Sequence, residues 1–294
     1  MMEYATDGRH GMALTEGLDM IQLWEGHEKP YCRECSLTEY EEESWGVLCA
    51  YNVTEPTLTV YEAQGRNKGT AVLILPGGGY TLVAVNHEGH DVALALADQG
   101  ITAAVLKYRL PNPESSYAPE RVPLADARRA LKLLRSTSQT HGFDKESVGV
   151  LGFSAGSHLA TVAGLRESHD KDENPRFTGL VYGVTRFTPE NRKWLETSLY
   201  HRVLTDAEIA ENTLLDHVST KTPPAFLVHA YDDETCPVEE STWYAEKLRE
   251  HEVPTEMHLF PRGGHGFGMG RKEDGTDQWF RLFLNWLSIS GYSI

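Results

Sequence analysis

Val148-Gly149-Val150-Leu151-Gly152-Phe153-Ser154-Ala155-Gly156-Ser157 decides the reading of this chain. Four residues that are apolar or glycine run into Gly-x-Ser-x-Gly, and the helix-compatible His158-Leu159-Ala160-Thr161-Val162 follows. A buried strand entering a helix through so tight a turn leaves the central serine exposed in a strained conformation. Residues two positions away on either side must then lack side chains, which accounts for Gly152 and Gly156. The helix amino terminus behind Ser154 adds a positive dipole where negative charge would develop. Ser154 is therefore the candidate nucleophile.

A serine hydroxyl needs a base to take its proton during attack. Late in the chain stands Gly263-Gly264-His265-Gly266-Phe267-Gly268, just after an apolar run at 256–260. Glycines on both sides leave His265 accessible, and of thirteen histidines it is the candidate base. An acid to orient the base is expected between serine and histidine in chain order. Ala225-Phe226-Leu227-Val228-His229-Ala230-Tyr231-Asp232-Asp233-Glu234-Thr235-Cys236-Pro237 supplies it. Asp233 stands four residues after His229 and four before Pro237, the spacing common in such loops, with Asp232 as the alternative. Upstream, Leu73-Ile74-Leu75-Pro76-Gly77-Gly78-Gly79-Tyr80 ends a strand in a glycine run that lets backbone amides approach a ligand closely. The N–H of Gly79 or Gly78, with that of Ala155, is the candidate oxyanion hole. A phosphate cradle would need the Lys-Ser/Thr of a P-loop or a full GxGxxG, and both are missing.

Around these motifs, short β-rich runs alternate with helical patterns. Strands are predicted over 57–61, 71–75, 101–106, 148–152, 179–184, 225–229 and 256–260, and helices over 88–99, 124–138, 155–166, 238–251 and 277–288. The expected fold class is α/β: a mostly parallel sheet flanked by helices on both faces. Several strands are apolar at consecutive positions, which suits burial on both sides. The stretch 185–223 breaks the rhythm and is read as a lid insertion over the carboxyl ends of the strands. The expected organisation is an N-terminal extension over 1–55 and a single hydrolase domain over 56–294.

With 294 residues, 40% hydrophobic and 24% charged, the chain can bury a sizeable core. Its net charge of -16 disfavours nucleic acid and anionic membranes and suits a neutral small substrate. Residues 1–17 lack the apolar run of a signal peptide, and no segment nears the ~20 apolar residues that span a bilayer. The expected location is cytoplasmic; a homo-oligomer is left open. Four cysteines make no disulfide framework in a chain this long. Cys32 and Cys35 form a CxxC, but no second ligand pair for zinc is evident, so reduced loop cysteines are expected and neither metal nor cofactor. Cys236 lies near the candidate acid without a base partner of its own.

At this point the chain resembles the acetylxylan-esterase-like, or xylanase-like, acetylesterases among the carbohydrate-esterase branch of the α/β-hydrolases. The resemblance runs from about Leu23 to Trp286. It rests on Pro56-Thr57-Leu58-Thr59-Val60-Tyr61, Pro76-Gly77-Gly78-Gly79-Tyr80, Glu88-Gly89 and Leu106-Lys107-Tyr108-Arg109-Leu110-Pro111 in the first half. In the second half it rests on the Ser154 motif, Thr222-Pro223-Pro224, Asp232-Asp233 and the His265 loop. It implies an α/β-hydrolase fold and hydrolysis of short acyl esters through an acyl-enzyme, with acetyl groups on sugars as the target. Tyr80 is expected to contact substrate. Ser157 and Tyr182-Gly183-Val184-Thr185 depart from the usual pattern, where glycine and a Tyr-Pro run are more common. The alternatives are an amidase or peptidase on the same residues, and a non-catalytic ligand-binding relative.

Overall fold

The computed structural model describes residues 18–293. The leader reading of residues 1–17 falls outside them. Seven strands match the predicted runs: β4 (Thr57–Tyr61), β5 (Ala71–Leu75), β6 (Thr102–Lys107), β7 (Val148–Phe153), β8 (Thr178–Val181), β9 (Ala225–Ala230) and β10 (Thr255–Phe260). With β1 (Asp19–Gln22) they form one eight-stranded sheet in the order β1-β4-β6-β5-β7-β8-β9-β10. Only β4 runs against the rest, pairing antiparallel with both β1 and β6. Every residue of β5, β7, β8 and β9 is buried, as consecutive apolar residues covered on both faces require. Strand β8 stops short of the predicted 184 because Tyr182 turns left-handed (φ 38°), which no strand accommodates.

Helices α1 (Asp91–Asp98) and α8 (Gln278–Ile289) cover one face through Val92, Leu96, Trp279, Phe283 and Trp286. On the other face lie α2 (Val122–Ser136), α4 (Ala155–Leu165) and α7 (Glu239–Glu250), packed through Leu131, Leu134, Leu159, Tyr244 and Leu248. A further turn of helix, α3 (Ser138–His141), follows α2. The α-helix α1 begins later than the predicted 88 because Asn86–His90 coils as a wider π-type turn. No helix among the described residues is long and apolar enough to cross a membrane.

Two regions differ from expectation. A hairpin of β2 (Tyr40–Ser44) and β3 (Val47–Tyr51) stands apart from the main sheet. Its Glu41-Glu42-Glu43 run is exposed and poor in strand formers, which hid it in the sequence. The insertion carries α5 (Pro189–Trp194) and α6 (Asp206–Asn212). Thr188 and Thr205 cap them, the second in a reciprocal capping box with Glu208. Leu195, Leu199, Tyr200, Leu204 and Val218 of the insertion join the core on the α2–α4–α7 face.

Candidate active site

Parallel strands bring their carboxyl ends to one edge of the sheet, and the candidate residues gather there. Leu75 pairs with Gly152, so the glycine run after β5 lies directly beside the turn at the end of β7. Ser154 takes φ 50° and ψ −118°, a strained conformation for a residue with a side chain, of the kind concentrated at functional sites. The flanking glycines are there for space. A Cβ on Gly152 would lie 2.3 Å from the Gly156 carbonyl oxygen, and one on Gly156 would lie 1.9 Å from that of Leu75. Both obstacles are backbone, so neither can yield easily. Gly156→Ala is therefore expected to destabilise the protein by about 1–3 kcal/mol or more and to disturb the glycine run at Pro76. Denaturant unfolding measured alongside activity checks it.

The Ser154 hydroxyl oxygen lies 2.8 Å from His265 Nε2, and His265 Nδ1 lies 2.8 Å from Asp233 Oδ2. Asp233 is buried, whereas Asp232 is exposed and accepts the Gly264 N–H at 2.7 Å. The two neighbouring acids thus part company: one meets the imidazole, the other braces its loop. Burial alone would raise the Asp233 pKa. Hydrogen bonds from His229 and His265, with the Cys236 N–H on Oδ1, outweigh it and hold the carboxyl well below the usual carboxylate range. His229 is fully buried, with Nε2 2.8 Å from the Cys236 carbonyl and 3.2 Å from Asp233 Oδ2. Both neighbours of that nitrogen only accept, so Nε2 carries the proton and points it at them. Cys236 is a support here; burial pushes its thiol pKa up and leaves it unreactive.

Nearly all the polar groups of the glycine loop are paired, with two exceptions. The Pro76 carbonyl accepts from the Tyr108 hydroxyl, Gly77 N–H is bound to Glu88, and the Gly77 and Gly78 carbonyls accept from Ala84, Thr81 and Leu82. The Gly79 carbonyl accepts from Trp194 Nε1 at 3.1 Å. Among the described residues, the N–H groups of Gly78 and Gly79, and that of Ala155 across from them, have no protein partner. Gly78 and Gly79 are left-handed (φ 125° and 63°), and Gly78 has no room for a Cβ beneath Leu82. Unpaired amides beside a serine hydroxyl are the arrangement that an oxyanion would require.

The structure places Tyr80, the expected substrate contact, largely inside the protein. It is only 2% exposed, its hydroxyl is 2.9 Å from His158 Nδ1, and its ring stacks on Trp194. The hydroxyl thus ties the end of the glycine loop to helix α4. The departures at 157 and 182–185 prove connected: a Cβ on Gly183 would lie 2.0 Å from the Ser157 hydroxyl. Serine at one position therefore demands glycine at the other. Cys32 and Cys35 are exposed and free, and among the described residues no group of three or more His, Cys, Asp or Glu could hold a metal. A large cavity, about 720 Å³ and lined by Arg135, Asn174, Pro223 and Tyr292, holds none of the candidate residues. It opens near the amino ends of β8 and β9, away from the chemistry.

The model of the family designated BD-FAE matches residues 58–248, well over half of the chain. The chain belongs to the BD-FAE family. A solved structure, an acetyl ester-xyloside bifunctional hydrolase from Caldicellulosiruptor lactoaceticus, is 32% identical with a TM-score of 0.77, covering 93% of this chain and 97% of the other. Endo-1,4-beta-xylanase B of Butyrivibrio fibrisolvens is 29% identical over 80% of this chain, and an acetylxylan esterase of Xylanibacter ruminicola is 29% identical over 74%. The chain spans 38% and 45% of the lengths of those two relatives. The eight-stranded, mostly parallel sheet of this family member is that of the α/β-hydrolase fold. Its matched span contains Ser154 and Asp233, while His265 lies beyond residue 248.

Sequence reasoning missed the roles of His229, Glu88, Tyr182 and Trp194 around the site. Glu88 had entered only through the Glu88-Gly89 pair of the family resemblance, and Trp194 was only an aromatic in a polar insertion.

Proposed function

We propose that the protein is a serine-dependent carboxylic ester hydrolase for short acyl groups, acetyl above all, with acetylated oligosaccharides as the substrate class. One observation carries this reading: a Ser154 hydroxyl at 2.8 Å from an imidazole that is itself held by the buried Asp233, beside three unpaired N–H groups. In this reading His265 accepts the hydroxyl proton as Ser154 Oγ attacks the ester carbonyl. The oxygen that gains charge is met by the N–H groups of Ala155 and of Gly78 or Gly79. The imidazolium then gives its proton to the departing alcohol, leaving an acyl-enzyme. Water, activated by the same imidazole, releases the acid and restores Ser154. Asp233 stays ionised and steadies the imidazolium, without taking the proton itself.

The insertion 185–223 is proposed as a cap that shapes the pocket, since Trp194 grips the glycine loop through the Gly79 carbonyl and stacks on Tyr80. The sugar preference takes its support from the xylan-related names of the relatives. The test is a panel of p-nitrophenyl esters of rising acyl length, an acetyl anilide and acetylated xylo-oligosaccharides. The expected result is the highest kcat/KM on acetyl esters, little on the anilide and deacetylation of the oligosaccharides. Faster anilide cleavage would favour an amidase; no turnover and no labelling of Ser154 by a fluorophosphonate would leave only ligand binding.

A further inference from the structure

One buried carboxylate takes no part in the chemistry above. Glu88, 3% exposed, sits in the π-type turn Asn86–His90, a form of helix often found at functional sites. Its Oε2 accepts the Gly77 N–H at 2.8 Å, at the entrance to the glycine loop. Its Oε1 accepts the Tyr182 hydroxyl at 2.7 Å. That hydroxyl in turn accepts the N–H of Gly268, three residues beyond His265, at 3.0 Å. The Tyr182 ring also stands edge-on to the His265 ring, with centroids 5.0 Å apart. His87 adds a parallel tie, its Nε2 lying 3.1 Å from the Gly266 carbonyl and 3.7 Å from Glu88 Oε1. One short turn therefore holds both the loop with the unpaired amides and the loop with the imidazole.

A buried carboxylate carries a desolvation cost that its hydrogen bonds must offset. Glu88 is buried with no Lys or Arg within salt-bridge reach among the described residues, and burying an acid costs free energy that an apolar side chain would not. The neighbourhood is shaped around it. A Cβ on Gly77 would lie 2.6 Å from Glu88 Oε2 and 2.8 Å from Ser154 Cβ, so glycine lets carboxylate and nucleophile close on the same backbone. Stability alone does not account for such a residue. Geometry at the two loops does.

We infer that Glu88 is a positioning residue, locking the glycine loop and the histidine loop into one frame so that amides and imidazole address the same tetrahedral intermediate. The inference rests on the esterase reading above. Its test is steady-state turnover of p-nitrophenyl acetate by wild type, Glu88→Gln, Tyr182→Phe and the double variant, with the melting temperature of each. An amide at 88 can accept from only one of its two donors, and if its NH2 turns to Tyr182 that bond is reversed and the Tyr182 O–H loses its acceptor; phenylalanine at 182 keeps the ring but cuts the ties to both Glu88 and Gly268. Each single change is expected to lower kcat about 10–100-fold with KM within about threefold, since small misplacements in a preorganised site have effects of that size. The double variant is expected to be no worse than the weaker single, because all three cut the same chain of bonds. Full kcat in Glu88→Gln, additive losses, or losses that merely track melting temperature would overturn the inference. Should Glu88→Gln fail to fold, unchanged kcat in Tyr182→Phe overturns it equally. A wild type without turnover would overturn the esterase reading first, and this inference with it.

Discussion

Ser154→Ala is expected to lower kcat/KM for p-nitrophenyl acetate at least about 10³-fold and to leave the melting temperature almost unchanged. The size follows from the proposed mechanism, in which the lost atom would form the bond to the acyl carbon while binding and the backbone amides would leave a residual rate above that in water. The stability follows from the local structure. Among the described residues the Ser154 hydroxyl bonds only to His265, and its backbone stays pinned by its N–H to the Val181 carbonyl and its own carbonyl to Ser157 and His158. Alanine can occupy the same strained φ of 50° at no greater cost than serine. Retained activity in this variant would show that some other group attacks the ester. A collapse in stability would mean that the hydroxyl serves the fold.

The paired variants Asp233→Asn and Asp232→Asn should separate just as sharply. In Asp233→Asn an amide would face His265 Nδ1, favour the wrong imidazole tautomer and leave the imidazolium without its counter-charge. The expected loss in kcat is about 10⁴-fold. Asp232→Asn keeps a carbonyl oxygen able to accept the Gly264 N–H, so activity within a few-fold of wild type is expected. The reverse order would move the role to Asp232. A pH signature accompanies the first change. The folded pKa of Asp233 lies below the unfolded value of about 3.9. Its contribution to stability is therefore complete at neutral pH and drains away as pH falls below about 4. Asp233→Asn should flatten that part of the unfolding profile, which acid titration of the two proteins would reveal.

Much of the architecture was legible because its signals are local. Runs of consecutive, almost wholly apolar residues at 71–75, 148–152 and 225–229 suit strands covered on both faces, and their alternation with amphipathic stretches points to a mainly parallel sheet. The Ser154 turn was legible for the same reason: two glycines and a serine between strand and helix describe a steric problem and its solution within five residues. What escaped was signalled weakly or not locally. Glu41-Glu42-Glu43 does not look like a strand, because exposed pairing in a hairpin is fixed by its turn and partner. Helix α6 did leave a signal in Thr205-Asp206-Ala207-Glu208, a capping box in a stretch that polarity and prolines made look irregular.

The residue types, their order along the chain and the strand or loop each one follows are properties of the sequence alone, because hydrophobic period and turn chemistry act over a few neighbours. Distances between side chains far apart in the chain are not. Which of two adjacent aspartates reaches His265, why Tyr80 faces His158, and how Glu88 comes to touch both Gly77 and Tyr182 were decided only when the sheet brought its loops together. Those contacts span from 11 to 94 positions in the chain, and packing of the whole sheet, rather than any local preference, sets their geometry.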